Sequence, residues 1–295
     1  MNFLRNQLLI YWSAPIQTIL ILIEILISKK LGKKAYTIRD TLTNLYLMCL
    51  ALTIDYGMLF FVTIPTLNFF NEYAFFSIQT SWVYWLVLLI FEDFMFYWEH
   101  RFDHQFRVLW AVHATHHSSD MYNLTVGFRS SVFQGLYRFI YFIPIAICGF
   151  KPLDIIFLFS ITQIYGILIH TQLINKLGFL ETFMATPSHH RVHHASNVAY
   201  LDKNMGMVFI IWDKLFGTFE EERDEQSYQK IEYGLTKKLK DIGPTNIVLH
   251  EWKAIAQEFK REIPFLTKLK YLFMPPGWSH DGSTHTSKQL QKNEN

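Results

Sequence analysis

The residues best suited to chemistry in this chain are its histidines. Ten of the 13 lie between His100 and His194, and most fall into spaced groups. "HRFDH" carries His100 and His104, "HATHH" carries His113, His116 and His117, and "HRVHH" carries His190, His193 and His194. Steps of three and four residues place side chains on one face of a helix. The neutral imidazole ring is a metal ligand through either nitrogen. A tetrahedral site takes four ligands, so eight patterned donors exceed one such site and point to two metal ions. Imidazole suits iron, zinc, copper and nickel alike, so the donors leave the metal open. His170 ends an apolar stretch alone and is a further candidate ligand. His189 precedes the third group and is a candidate donor behind the ligands. His250, His280 and His285 stand apart in the polar C-terminal part and read as surface residues.

The elements that must carry these groups are apolar. Of 295 residues, 51% are hydrophobic, 17% aromatic and only 18% charged, against about 25% charged in soluble domains. That composition predicts a membrane protein. A net charge of +2 gives no sign of a nucleic-acid partner. Cys49 and Cys148 sit far apart inside apolar runs and fit no metal or disulfide pattern, so they read as small buried residues. A spanning helix needs about 20 mostly apolar residues. Candidates cover residues 8–27, 43–64 and 81–98, with a shorter pair at 139–150 and 155–170 split by "KPLD". The first is expected to be retained, since it lacks a small-residue cleavage site. Past Gly178 the chain turns polar. "EEERDEQSYQKIEYG" reads as a solvated loop and "HTSKQLQKNEN" as a disordered tail.

Orientation follows from the basic residues. Lys29, Lys30, Lys33, Lys34 and Arg39 lie between the first two spans, whereas "PTLNFFNEYAFFSIQT" has neither Lys nor Arg. The positive-inside rule places the first linker in the cytoplasm and the second outside. The third span then delivers His100 to the cytoplasmic face, and the hairpin returns "SHHRVHH" to the same face. The expected fold is an all-α, polytopic membrane helical bundle with a cytoplasmic histidine-rich di-metal cap. Residues 1–80 would form the N-terminal transmembrane region, 81–240 the catalytic domain, and 241–295 a polar C-terminal region and tail.

Charges inside apolar segments ask for a partner. Asp93 precedes His100 by seven residues, on the same helical face, and is expected to hydrogen-bond a ligand imidazole and set its tautomer. Glu92 points elsewhere and reads as structural. Asp55 and Glu24 are expected to contact other helices. Glu181 and Asp202 are candidate acceptors near the last groups. "YNL" at Tyr122–Leu124 and "DKN" at Asp202–Asn204 could position a ligand or simply form turns. "FIIWDKLFGTF" reads as an apolar cap over the site.

These histidine groups, with about 70 residues between the second and third, resemble the fatty acid hydroxylase / sterol desaturase superfamily of membrane di-iron oxygenases. The stretches that carry the resemblance are "FYWEHRFDHQFRVLWAVHATHHSSDMYNLTVGFRSS", "IHTQLINKLGFLETFMATPSHHRVHHASN" and "YLDKNMGMVFIIWDKLFGTFEEE", about half the chain. Their flanks are similar to the ether-lipid branch, the alkylglycerol monooxygenases and bacterial relatives. The resemblance implies two iron ions held by the eight patterned histidines and His170, O2 as oxidant, and a lipid substrate. It implies tetrahydrobiopterin as reductant in the ether-lipid branch and a separate electron-transfer protein elsewhere. No b5-like segment is read in these residues, so the electron donor is expected to be separate. The expected reaction is hydroxylation of a lipid C–H bond, with alkyl glycerol ether cleavage as one outcome. The alternatives are hydroxylation or desaturation of a fatty acyl, carotenoid or sterol substrate. A non-enzymatic metal transporter or storage protein should instead hold its ligands near mid-membrane, whereas these groups lie at and beyond the ends of the apolar segments.

Overall fold

In the computed structural model, which describes residues 2–224 and 228–294, the chain opens with two long apolar helices. The first is α1 (Asn2–Lys30). Thr37 then caps α2 (Ile38–Met58), its hydroxyl accepting from the Asp40 amide at 3.2 Å. A π turn at Leu59–Thr63 leads directly into α3 (Ile64–Glu72). The turn has a local cause. Pro65 has no N–H to give the preceding turn, and an extra residue ahead of it absorbs the mismatch. The second apolar helix therefore runs unbroken over Ile38–Glu72. It is longer than the expected 43–64, and residues 65–72, read from sequence as linker, are helical.

Ser81 caps α4 (Trp82–Gln105), which ends where Phe106 becomes extended, and α5 (Arg107–His113) follows. Next come α6 (Gly135–Ile147) and α7 (Pro152–Leu168). These two form the hairpin expected around "KPLD", with Lys151 as the cap of α7. Among the described residues, the helices long and apolar enough to cross a membrane are Trp12–Lys30 and Ile38–Glu72. The α4 helix, expected as a third span, is not among them, because Glu92, Asp93 and Glu99 interrupt its apolar run. All three are buried against other helices. A core of Leu67, Leu88, Ile145 and Ile155 joins α3, α4, α6 and α7. On the outer faces, Trp12, Ile16, Ile19, Leu22 and Leu26 of α1 and Trp82, Leu86 and Ile90 of α4 stay exposed. Among the described residues there is no β-strand, only isolated bridges between Met184 and Phe209 and between Ala195 and Tyr233.

The histidines gather at the end of this bundle, under a cap of shorter elements. These include α8 (Pro187–His193), α9 (Ile211–Phe216) and α10 (Pro244–Lys260). They are followed by α11 (Phe265–Phe273) and α12 (Ser287–Glu294). The α10 helix packs on α5 and α2, and its Glu251 pairs with Arg107 at 2.6 Å. The C-terminal end, expected to be disordered, is helical and docked. Gln291 Nε2 on α12 donates to the Val198 and Leu201 carbonyls at 3.2 and 2.9 Å. Charge and polarity are what a surface helix carries on its outer face, so composition alone misread it. The expected solvated loop at 220–234 also differs. Glu225, Gln226 and Ser227 lie outside the described residues, but Tyr233 stacks on Tyr122 with ring centres 4.6 Å apart.

Glu24 shows how α1 is tied to this cap. It is 4% exposed. Its carboxylate accepts from the Leu124 amide at 2.9 Å, from Thr171 Oγ1 at 2.5 Å, and from the Tyr36 hydroxyl. One side chain thus holds "YNL" and the residue after His170. Glu24→Ala leaves those donors unpaired, at about 1–3 kcal/mol for each that stays buried. The expected result is a fall in unfolding midpoint corresponding to roughly 3 kcal/mol, with little change for Glu24→Gln, measured by thermal or denaturant unfolding of the purified protein.

Candidate metal centre

The last two turns of α4 bring His100 and His104 to the cap. The α5 helix ends on His113, and a 3-10 turn at His116–Ser118 carries the next two. Pro187 opens α8 at the position where a missing N–H costs nothing. That helix presents His190 and His193, with His194 at its C-terminal boundary. His170 follows α7. Close approach there depends on Gly127. A Cβ at that position would lie 2.9 Å from Ile167 Cα and 3.2 Å from His170 Nδ1.

The structure brings nine histidines together in two sets. His100, His104, His113, His117 and His193 form one, and His116, His170, His190 and His194 form the other, with ligand atoms within 4.8 Å of one another in each. The sets cut across the sequence groups. Each i, i+4 pair, 100/104, 113/117 and 190/194, stays in one set. His116 and His193 cross to the opposite set from their pairs, because neighbouring positions on a helix point about 100° apart.

Ring nitrogens face one another within each set. His113 Nε2 lies 3.1 Å from His100 Nε2 and 3.2 Å from His117 Nε2. His170 Nε2 lies 3.1 Å from His194 Nε2 and 3.0 Å from His190 Nε2. Two ligands about 2.1 Å from one metal ion at 90–109° stand about 3.0–3.4 Å apart, so these spacings fit edges of a coordination shell. His104 Nε2 and His193 Nε2 are buried without any hydrogen-bond partner. A bound cation would satisfy these lone pairs, so the donor set fits two metal ions.

Behind the ligand atoms, the other ring nitrogens are held. Nδ1 of His100 faces the Met205 carbonyl at 2.8 Å, and Nδ1 of His193 faces that of Lys203 at 2.9 Å. His116 Nδ1 faces the Arg129 carbonyl at 3.1 Å, and His170 Nδ1 the Gly166 carbonyl at 2.7 Å. A carbonyl can only accept, so Nδ1 carries the proton and Nε2 presents its lone pair inward. His104 Nδ1 instead faces the Asp202 carboxylate at 3.2 Å. Asp202 sits at φ 56°, as part of the "DKN" turn that also fixes Asn204 against the His189 carbonyl.

Two expected roles change. Asp93 reaches no imidazole. Its oxygens accept from the Val208 amide at 2.7 Å, the Phe209 amide at 3.0 Å and the Trp212 indole at 2.9 Å. It bears on His100 through the segment 205–212, whose amides it holds and whose Met205 carbonyl faces His100 Nδ1. His189 belongs to neither set. It closes the capping box of α8 with Thr186, its Nδ1 3.2 Å from the Met184 carbonyl. Sequence reasoning missed two supports. Asp213, fully buried, accepts from the Met205 and Gly206 amides at 2.7 and 2.8 Å. Arg129 binds Asn44 and Asp40 on α2 at 2.7 and 3.0 Å, and the Thr115 carbonyl at 3.2 Å. Asp213 was signalled by a lone acid inside "IIWDKLF"; Arg129 carried no local signal. Asp103, within "HRFDH", is bound by Gln134 and Tyr137 at 2.7 Å each and lies 3.7 Å from His113 Nδ1.

A helical chain with a buried double imidazole site has the donor set of a helical metalloprotein. Residues 85–218 match the family model described as fatty acid hydroxylase, and the chain carries a domain of that family. Across 90% of its length it is 36% identical to human alkylglycerol monooxygenase, covering 59% of that protein. It is 34% identical to the alkylglycerol monooxygenase of Xenopus tropicalis over 88% of this chain and 57% of that one. It is 30% identical to an ornithine lipid hydroxylase of Rhizobium tropici over 59% of this chain and 50% of that one. The chain thus spans less than two thirds of the length of these relatives. No solved structure matches it.

Burial, and then the neighbouring imidazoles, hold His113, His117, His193 and His194 well below the ordinary histidine value, and burial brings His116 down to about 4. The unfolded chain takes up protons near pH 6.5, while the folded chain does not. Stability of the metal-free protein is therefore full above that pH and falls as pH drops through it towards about 4. Denaturant unfolding of metal-free protein between pH 7.5 and 4.5 measures this; a flat profile would contradict neutral, buried imidazoles.

Proposed function

We propose that this protein is a membrane di-iron oxygenase that hydroxylates a lipid C–H bond with O2, and that its substrates are alkyl glycerol ethers. The observation that carries the proposal is the convergence of nine imidazole nitrogens into sets of five and four, in a chain similar to alkylglycerol monooxygenases over most of its length. In this reading His100, His104, His113, His117 and His193 hold one iron, and His116, His170, His190 and His194 the other. Together the irons supply the activation of O2 that removes hydrogen from an unactivated C–H bond. The chain's own part is geometric. Carbonyls of Met205, Lys203, Arg129 and Gly166 keep the Nδ1 protons outward, Asp93 and Asp213 fix the segment carrying Met205, and burial excludes water. Hydroxylation of the carbon beside an ether oxygen gives a hemiacetal, which separates into an aldehyde and a glycerol derivative.

The reading includes a polytopic bundle with its site on the cytoplasmic side. Two helices of spanning length and apolarity support it, as do the lysines between them. Residues 1–80 would serve as membrane region, 81–240 as catalytic domain and 241–295 as the C-terminal part of the cap. The reductant would be tetrahydrobiopterin, supplied from outside the chain.

Purified protein is expected to hold two irons per chain by elemental analysis. His193→Ala and His104→Ala should each lower that content, because their Nε2 atoms have no other partner; unchanged iron in both would refute the ligand assignment. In cells, His193→Ala should make alkyl glycerol ethers accumulate relative to wild type by lipidomics. Accumulation of unhydroxylated acyl chains or sterols instead would move the substrate to the other branches of the family.

A further inference from the structure

The α11 helix presents its apolar side away from the protein. Phe265, Leu266, Leu269 and Phe273 fall within about 100° around its axis. Of these, Phe265 is 66%, Leu266 72% and Phe273 56% exposed. The side packed on the protein carries Tyr271 instead, 2% exposed, with its hydroxyl 2.8 Å from His280 Nδ1. Lys268 and Lys270 stand one on each edge of the apolar face. An outward apolar face edged by lysines is what a helix in a membrane interface needs. The rings and leucines enter the acyl boundary, and the lysine stems carry their ammonium groups up to the phosphates.

The place of α11 in the fold agrees with this. The Arg107 amide donates to the Met274 carbonyl at 3.2 Å, and the Arg107 guanidinium lies 5.7 Å from the centre of the Tyr271 ring. Both contacts fix α11 at the corner where α4 ends and α5 begins. The surface of α4 is apolar up to that corner. Trp82, Leu86 and Ile90 are exposed. The same four-residue step continues through Phe94, Trp98, Phe102 and Phe106, with neighbouring ring centres 5.5–6.4 Å apart. The α9 helix joins there, since Phe216 packs on Trp98 at 5.1 Å and Leu215 beside it is 70% exposed. Apolar surface thus extends from the bundle onto two helices of the cap. The basic linker between α1 and α2 lies at the same end, because Lys33 Nζ donates to the Gln172 carbonyl at 2.9 Å, two residues after His170.

A protein partner fits this face less well. Nine residues make a helix about 14 Å long. One face of it falls short of the roughly 800 Å² per partner of a stable protein interface. A lipid surface asks less of α11, because a chain already tethered by α1 and α2 meets that surface at high effective concentration.

We infer that α11 is an interfacial helix that binds an anionic lipid surface, with Phe265, Leu266 and Phe273 at the acyl boundary and Lys268 and Lys270 on the phosphates. It seats the cap against the bilayer. The inference rests on the proposed membrane location and adds to it a second contact, made by a segment outside the fatty acid hydroxylase domain at 85–218.

The test uses the full chain in lipid nanodiscs, with Cys49→Ser, Cys148→Ser and one new cysteine carrying an environment-sensitive NBD dye. The variants are Leu266→Cys and Phe273→Cys on α11, Leu22→Cys on α1 as the reference for a span, and Lys253→Cys on α10 as the reference for water. Nitroxide groups on the lipid chains should quench the dye at positions 22, 266 and 273, and iodide the dye at position 253. Replacing part of the phosphatidylcholine by phosphatidylglycerol should raise lipid quenching at position 266. Lys268→Gln and Lys270→Gln should each shift the ratio of docked to undocked helix back about fivefold. Iodide quenching at position 266 equal to that at 253 overturns the inference. So does a disulfide-linked dimer through position 266 in place of lipid contact, or lipid quenching indifferent to headgroup charge and to both lysines. Position 22 keeps the two readings apart. Lipid quenching there without it at 266 removes the inference alone, whereas iodide quenching at 22 removes the proposed membrane location itself. Neither readout needs iron or turnover.

Discussion

Lone pairs that face one another across about 3 Å cannot all be satisfied by hydrogen bonds. In this chain six of the nine clustered imidazoles are arranged in that way, at 3.0–3.2 Å, and two further nitrogens, on His104 and His193, are buried with no partner. Such an arrangement is unfavourable unless a cation lies between the rings. The rest of the structure can be read as what is required to hold it. The carbonyls of Met205, Lys203, Arg129 and Gly166 take the outer ring protons and leave the inner nitrogens bare. Asp213 fixes the segment that bears the Met205 carbonyl, Asp40 and Asn44 hold Arg129, and Gly166 lies within α7.

This scaffold crosses the boundary between apolar bundle and cap several times. Glu24 on α1 reaches the turn at Leu124 and the residue after His170. Asp40 and Asn44 on α2 receive Arg129, whose own carbonyl orients His116. Asp93, seven residues before His100, holds the start of α9. Buried carboxylates in apolar helices are costly. Glu24, Asp40 and Asp93 are each met by two or more donors from the cap, so each links an apolar helix to the surroundings of the histidines. The order of elements serves the same end, since α4 and α7 both finish at the cap and leave their last residues beside the site.

The C-terminal third has a comparable role at the outer side. The α10 and α12 helices pack over α5 and the 198–201 turn, so this part covers the histidines from outside, with a cavity of about 200 Å³ beneath it. The family domain at 85–218 supplies all nine histidines. The wall facing them is supplied by residues outside it.

Spacing by itself pointed to a metal site. Three groups of histidines at three- and four-residue steps have few uses besides ligation, and eight donors exceed one tetrahedral site. Composition determined an apolar helical chain, because helical periodicity and hydrophobic content are local properties. Only the tertiary structure decided how the donors divide. His116 and His117, like His193 and His194, are neighbours in sequence yet serve different sets, because adjacent side chains diverge on a helix and the partners come from helices far apart in sequence. The same reason separates His170, which joins a set from a lone position, from His189, which sits among ligands and caps a helix instead. It also explains why Asp93 was placed on the correct face but given the wrong partner, and why a polar C-terminal segment proved to be a docked helix. What a side chain touches across the fold is set by packing, and no spacing within one element records it.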